Sequence, residues 1–105
     1  MGFFDFFRTN INDGIKKYEN TPGAVLLDVR TPEEYGDYHI KGSVNLPLDK
    51  ISDVDSLIKD KTTPLFVYCY SGMRSGKAVS YLKKVGYKNA SDIGGIRNYR
   101  IKEAD

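Results

Sequence analysis

The sequence predicts an α/β domain with a mostly parallel sheet and helices on both faces, and three observations carry that prediction. Two apolar runs of strand length, at residues 24–29 and 65–68, are typical of strands buried on both faces of a parallel sheet. Helical patterns lie before, between and after these runs. The chain's one cysteine, Cys69, stands where the second run ends. Working sites in such sheets lie at the carboxyl ends of the strands, so we expect the site there.

Before the first apolar run the sequence predicts a short helix. Ile15 and Tyr18 have the i, i+3 spacing of one buried helical face within residues 9–20, and Asn12 is the expected N-cap. The run at 24–29 then forms the first buried strand. Asp28 is its polar exception, so its carboxylate needs hydrogen-bond donors at or near the end of the strand.

Between the two buried strands the sequence predicts two helical segments and a short extended stretch. Residues 31–34 (Thr-Pro-Glu-Glu) match a capping box with proline at the first helical position, which predicts a helix of one or two turns that stops near Gly36. Residues 44–48 form the extended stretch. Apolar residues recur at helical spacing over 49–61, with a break expected near 52–53.

After the second buried strand the sequence predicts the longest amphipathic helix. Residues 75–85 carry one apolar stripe with lysines on the other side, and Gly86 stands at the C-terminal cap position. Residues 89–93 are typical of a short strand. The Gly-Gly pair at 94–95 indicates a turn, and residues 96–101 indicate a last helical turn.

Length and composition limit the classes of function. The 105 residues suit a single domain over residues 1–105. Sixteen basic against fourteen acidic residues leave a net charge of +2, too weak a balance to indicate nucleic acid or an anionic membrane as partner. One cysteine rules out an internal disulfide and suits the reducing cytoplasm. One histidine leaves a Cys/His zinc site short of ligands, and no apolar run is long enough to span a membrane.

The N-terminal segment, residues 1–8, is rich in phenylalanine. It has neither the basic start nor the apolar length of a signal peptide. We expect its rings to pack on the domain as a lid. A contact with a partner or a second copy is the alternative, and insertion into a membrane surface is a remote third.

The segment from Cys69 to Ser75 has the features of a catalytic loop. Cys69 ends a strand, Arg74 stands where a helix is about to begin, and a glycine lies between them. Backbone N–H groups at a helix N-terminus stabilise a thiolate, so we expect Cys69 to be a nucleophile. The other loop residues are the expected substrate-binding residues, namely Tyr70, Ser71, Gly72, Met73, Arg74 and Ser75.

Three separated segments, which together span most of the chain, resemble a single-domain rhodanese. Residues 27–35 with 39–47 resemble the family's first signature. Residues 69–75 resemble its active-site loop, and residues 92–96 with Tyr99 resemble its closing segment. Their order and spacing make the resemblance far more specific than the loop alone.

The resemblance implies a rhodanese-like fold with an about five-stranded, mostly parallel sheet and helices on both faces. It also implies a sulfurtransferase, in which a persulfide on Cys69 carries sulfane sulfur from a small anionic donor to a thiophilic acceptor. The donor is thiosulfate, a low-molecular-weight persulfide or a protein persulfide. The loop arginine that helps to bind the donor corresponds to Arg74, with a simple pair to a carboxylate as the alternative. No metal and no organic cofactor is implied.

Three tyrosines depart from the family pattern. Tyr38 stands in place of the glycine usual before His-Ile, and Tyr99 in place of a tryptophan. Tyr70 stands where many members carry an arginine directly after the cysteine. The loop is therefore less basic, which lowers its expected affinity for the thiosulfate dianion and favours a carrier with a protein or low-molecular-weight persulfide as donor.

Several polar residues near these segments have competing interpretations. Asp28 and Arg30 form a charged pair that we expect to be structural, tying the strand end to the following helix. The hydroxyl groups of Ser71 and Ser75 either bond the persulfide or cap the helix. His39 is expected to be structural, and no acid–base role is assigned to it.

Two rival functions follow from the same loop. Cysteine-dependent phosphatases place five residues between cysteine and arginine so that the loop encircles a phosphate, whereas four separate Cys69 from Arg74. A phosphatase is therefore the remote alternative. The nearer alternative is a non-catalytic persulfide carrier or protein-docking module, and a buried structural role for Cys69 is a third interpretation.

Overall fold

The computed structural model describes residues 10–100 and shows a parallel sheet with helices on both faces. In chain order the elements are α1 (Ile11–Glu19), β1 (Val25–Asp28), α2 (Pro32–Asp37), β2 (Ser43–Asn45), a 3-10 helix (Leu48–Asp53), α3 (Val54–Leu57), β3 (Leu65–Cys69), α4 (Met73–Lys84), β4 (Ala90–Gly95) and a second 3-10 helix (Ile96–Asn98). The predicted α/β class and the parallel sheet are confirmed.

The strands lie in the order β2-β1-β3-β4, and each neighbouring pair is parallel. β1 and β3 are therefore central, which accounts for their apolar runs. The expected count of about five strands is wrong for the described part of the chain, where the sheet has four. The rest of residues 10–100 forms helices, turns and loops, so no further strand there pairs with the edges β2 and β4.

Strand β3 divides its side chains between the two faces of the sheet. Leu65, Val67 and Cys69 join the apolar cluster that contains α3 and α4, whereas Phe66 and Tyr68 join the cluster that contains α1. Successive side chains of a strand point to opposite faces. Full burial of one Leu or Val side chain contributes roughly 1.5–3 kcal/mol, so a slip by one residue would be costly. The alternation therefore fixes Cys69 on the α4 side.

Strand β4 carries a bulge near its carboxyl end. Ile93 is the extra residue, after which Tyr68 pairs with Gly94 and Cys69 pairs with Gly95. Gly94 has a φ of 102°, in the left-handed region that glycine adopts without strain. The prediction of a turn at 94–95 is therefore wrong, since both glycines belong to β4. A Gly-Gly pair is as typical of a bulge as of a turn, and the sequence pattern does not separate the two.

The caps of the first two helices explain where they begin. The capping box at 31–34 is confirmed, because the Thr31 side chain accepts a bond from Glu34 N and the Glu34 side chain accepts one from Thr31 N. Helix α1 is capped by Asn10 and not, as expected, by Asn12. The amide of Asn12 instead donates to the backbone near the end of the chain, a distant contact that local spacing does not reveal.

The helical segment at 49–61 is only partly α-helical. It begins as the 3-10 helix Leu48–Asp53 and continues as α3, and the change falls at the break expected near 52–53. Helix α4 begins at Met73, two residues earlier than the apolar stripe indicated. Gly86 follows it with a φ of 111°, as its predicted cap position requires.

Three further expectations concern the N-terminal segment, membrane-spanning helices and metal sites. The predicted packing of residues 1–8 lies outside the described range. Within 10–100, no helix combines the length and apolar character needed to cross a membrane. In the same range, no group of three or more His, Cys, Asp or Glu side chains is arranged to hold a metal ion.

Candidate active site

The loop that joins β3 to α4 holds the candidate nucleophile. Cys69 is the last residue of β3, and α4 begins at Met73. The N-cap of α4 is Gly72, whose φ of 106° lies in the left-handed region. A residue with a side chain rarely adopts that conformation. Glycine at this position therefore allows the chain to turn from strand to helix directly beside the sulfur.

The Cys69 sulfur is buried and accepts a backbone hydrogen bond. The residue is 0% exposed, and Gly72 N donates to Sγ over 2.9 Å. A backbone N–H aimed at sulfur at the start of a helix stabilises a thiolate more than a neutral thiol. The burial alone would suit a structural cysteine, but the donor aimed at the sulfur suits a reactive one.

Ser75 connects the sulfur to a carboxylate. Its Oγ lies 3.5 Å from Cys69 Sγ, 2.7 Å from Asp92 Oδ1 and 3.0 Å from Gly72 O. Asp92 Oδ1 also accepts a bond from Gly94 N at 3.0 Å. The Ser75 hydroxyl has one proton for three neighbouring acceptors, and in its contact with the sulfur either Oγ or Sγ can be the donor. Helix α4 has no side-chain cap, so Ser75 lies beside Cys69 without capping the helix.

The end of strand β4 and the residues after it pack against the backbone of the loop. A Cβ atom at Gly95 would collide with the carbonyl oxygen of Tyr70, so only glycine fits there. Arg97 N donates to that same oxygen over 3.1 Å. Gly95 and Asp92 therefore help to form the site, although sequence reasoning singled out neither. The available signal was their place in the closing segment of the resemblance.

Arg74 is bound by Glu34, which belongs to α2. Arg74 Nη1 donates to Glu34 Oε1 over 2.7 Å, and Nη2 donates to Oε2 over 3.1 Å. The two side chains remain 36% and 33% exposed. The alternative foreseen for Arg74, a pair with a carboxylate, is therefore present. An anion that binds Arg74 must share the guanidinium group with Glu34.

Glu34 is held from two sides. Its Oε1 also accepts bonds from the backbone N and the hydroxyl group of Thr31, at 3.0 Å and 3.1 Å. The hydrogen bond from Arg74 is the main cause that lowers the pKa of Glu34 to about 2, and the bonds from Thr31 add to it. The same bond is the main cause that raises the pKa of Arg74. Glu34 is therefore ionised at neutral pH.

Asp28 and Arg30 form a buried ion pair at the end of β1. Arg30 Nη2 lies 2.8 Å from Asp28 Oδ2, and the side chains are 1% and 0% exposed. The same Nη2 donates over 2.6 Å to the carbonyl of Tyr38, the C-cap residue of α2. The guanidinium carbon is 5.2 Å and 5.9 Å from the ring centroids of Tyr38 and Tyr68. This arrangement links the strand end to α2, in line with the structural role expected for the pair.

The remaining loop residues lie at the rim of the site. Tyr70 and Met73 are 44% and 73% exposed, and Ser71 is half-buried. None of these three side chains makes a hydrogen bond within residues 10–100. The contacts of His39 are with Tyr35: its ring stacks on that of Tyr35 at 3.7 Å, and Nδ1 is 2.8 Å from the Tyr35 carbonyl.

Comparisons with known proteins find one family among the relatives of this chain. The family model for the rhodanese-like domain matches residues 12–102. The chain is 34% identical over 73 residues to the thiosulfate sulfurtransferase PspE of Escherichia coli, covering 69% of this chain and 70% of that protein. It is 40% identical over 75 residues to the adenylyltransferase and sulfurtransferase uba4 of Ogataea parapolymorpha, covering 70% of this chain but only 19% of that longer protein. A solved structure of a rhodanese with anions from Escherichia coli matches with a TM-score of 0.69 and 31% identity, covering 75% of this chain and 94% of that one.

Proposed function

The chain belongs to the rhodanese-like domain family, and from this premise we propose that it is a sulfurtransferase that forms a persulfide on Cys69. The observation that carries the proposal is the 2.9 Å hydrogen bond from Gly72 N to Cys69 Sγ at the start of α4. Both the attacking thiolate and the persulfide carry negative charge on sulfur, and such a donor stabilises that charge. A relative named thiosulfate sulfurtransferase supports the class of reaction.

The first half of the reaction loads sulfur onto the protein. The Cys69 thiolate attacks the outer sulfur of a sulfane donor and forms a new S–S bond. The S–S bond of the donor breaks, and its electron pair leaves with the rest of the donor, which is sulfite when the donor is thiosulfate. The product is a Cys69 persulfide with its charge on the terminal sulfur, where the N–H groups of the loop stabilise it.

The second half of the reaction unloads that sulfur. A thiophilic acceptor, such as cyanide or a thiolate, attacks the terminal sulfur, and the persulfide bond breaks with its electrons returning to Cys69. Neither half needs an oxidant, a reductant or a cofactor. The donor is thiosulfate or a low-molecular-weight or protein persulfide, and the cytoplasm suits a reaction that begins from a free thiolate.

Steady-state turnover with cyanide as acceptor tests this function. We expect thiocyanate to form from thiosulfate and from glutathione persulfide in wild-type protein. Cys69→Ser removes the nucleophile and is expected to lower both rates by at least about a thousandfold. Ser80→Ala, at an exposed position on the same helix, is the matched control and should leave both rates unchanged.

Two results would contradict the proposal. Turnover in Cys69→Ser close to the wild-type rate would show that another group carries the sulfur. Release of phosphate from an aryl phosphate at a useful rate, lost in Cys69→Ser, would favour a phosphatase, although the loop is one residue short of the spacing that a phosphate needs.

A persulfide carrier that docks to another protein is the second candidate, and the exposed rim of the loop favours it. Tyr70 and Met73 present apolar surface to solvent next to the buried sulfur, and exposed aromatic and methionine side chains are frequent in protein interfaces. A carrier would accept sulfur from a protein persulfide and turn over thiosulfate poorly. Comparison of the two small donors above with a protein persulfide separates the two candidates.

A further inference from the structure

Arg74 is the second residue of α4, two residues after Gly72, whose backbone N donates to the sulfur that the proposed reaction uses, and Glu34 binds its guanidinium group. We propose that Glu34 sets the charge preference of the site, because by holding Arg74 it makes the loop select singly charged sulfane donors over the dianion thiosulfate. Organic persulfides are donors of the selected class. The inference rests on the proposed function and names the donor class for the same site.

Glu34 cannot easily give up its place to a donor. Its two oxygens bind the two terminal nitrogens of Arg74. Oε1 also accepts two bonds from Thr31 as part of the capping box that begins α2. A donor that displaced Glu34 would therefore break a helix cap as well as an ion pair. The donor must instead bind beside a guanidinium whose charge is already balanced.

Two further features of the site also disfavour a doubly charged donor. The carboxylate of Asp92 lies 2.7 Å from Ser75 Oγ, which is itself 3.5 Å from Cys69 Sγ. Tyr70, the residue directly after Cys69, adds no charge. The carboxylates of Glu34 and Asp92 therefore repel an anionic donor, and none of these residues supplies a free cation to offset the repulsion. The repulsion grows with the negative charge on the donor.

Two small donors that differ in charge isolate this effect. Thiosulfate is a dianion, and methanethiosulfonate is a monoanion of similar shape in which a methyl group replaces one oxygen. The Cys69 thiolate attacks the outer sulfur of either donor, and the S–S bond breaks to release sulfite or methanesulfinate. Both routes give the same persulfide. In such a two-step reaction kcat/KM for the donor reports only the loading step.

Glu34→Gln is the test variant, because glutamine also serves at this position of a capping box and so keeps the start of α2. One guanidinium group separates the Glu34 charge from an anion bound to Arg74, a distance on the order of 7 Å. At that distance, removal of the Glu34 charge strengthens binding about threefold for each unit of negative charge on the donor. We therefore expect kcat/KM to rise about tenfold for thiosulfate and about threefold for methanethiosulfonate. The ratio between the two donors should shift about threefold toward thiosulfate.

Two companion variants separate the charge effect from a structural one. Glu33→Gln removes an equal charge from the adjacent, exposed position of α2 and should leave the ratio near its wild-type value. Arg74→Gln leaves Glu34 without its cation, so the ratio should shift by a similar factor in the opposite direction. A loop that had merely loosened would change both donors alike and leave the ratio constant.

The outcomes distinguish failure of this inference from failure of the proposed function. If wild-type protein takes sulfur from neither donor, the sulfurtransferase itself is wrong. If it takes sulfur from both and Glu34→Gln leaves the ratio at the Glu33→Gln value, the role of Glu34 is wrong and the enzyme stands. Opposite shifts in Glu34→Gln and Arg74→Gln support the role of Glu34.

Discussion

Two arginine–carboxylate pairs flank the carboxyl ends of the central strands, and they differ in burial. Arg30 and Asp28 are 1% and 0% exposed, whereas Arg74 and Glu34 are 36% and 33% exposed. The closest nitrogen–oxygen distances are nearly equal, at 2.8 Å and 2.7 Å. Geometry alone therefore does not separate a structural pair from a functional one. Access to solvent does, because only the exposed pair can meet a ligand.

The contacts of each arginine support the same distinction between a buried structural pair and a pair that is open to a ligand. The Arg30 side chain donates to Asp28 and to the Tyr38 carbonyl, lies near aromatic rings and is 1% exposed, so it is closed to a ligand from solvent. Arg74 bonds only Glu34 among the described residues, and more than a third of its side chain is open to solvent. We therefore expect the first pair to hold the strand end against α2, and the second is the pair that we propose to set the charge preference of the site.

Loss of the buried pair should have the largest effect on stability. Arg30→Met leaves Asp28 as an uncompensated buried charge, and we expect the free energy of unfolding to fall by about 3–5 kcal/mol. Arg74→Met, the matched change in the exposed pair, should cost about 0–1 kcal/mol. Urea unfolding followed by circular dichroism measures both. Equal losses in the two variants would remove the distinction between the pairs.

At acidic pH we expect a smaller effect on stability, caused by loss of the exposed pair Arg74–Glu34. The folded-state pKa of Glu34 is lowered from 4.5 to about 2. Its ionised form therefore adds stability that is fully present above pH 4.5 and is lost as the pH falls toward 2. The size should stay below about 1 kcal/mol, because the pair is partly exposed and screened by solvent.

The measurement is the difference in unfolding free energy between wild-type protein and Glu34→Gln, taken from about pH 6 to about pH 3. The difference should be constant at the upper end of this range and shrink at the lower end. A difference that stayed constant down to the lowest pH at which both proteins fold would contradict the assigned pair.

Local signals explain which features could be predicted from the sequence. The capping box at 31–34, the glycine directly before α4 and the cysteine at the end of β3 each depend on a few consecutive residues. The Arg74–Glu34 pair joins residues 40 positions apart, so spacing along the chain does not reveal it. Sequence reasoning gave Glu34 only its capping role, and the second role follows from tertiary packing.

The features around β4 show the same limit. The Gly-Gly pair was visible in the sequence, but its role depends on the Tyr70 carbonyl that lies against Gly95. Asp92 bonds Ser75 across 17 positions of sequence. In each case the residue type was a useful signal, and the partner that gives it a role comes from a different element of the fold.

The intact mass of the protein after incubation with a sulfane donor tests the central claim most directly. We expect wild-type protein to gain one sulfur atom from thiosulfate or methanethiosulfonate and to lose it on addition of cyanide. Cys69→Ala should gain none under the same conditions. Absence of any adduct on wild-type protein with every sulfane donor tried, or an equal gain in Cys69→Ala, would contradict the assignment of Cys69 as the sulfur carrier.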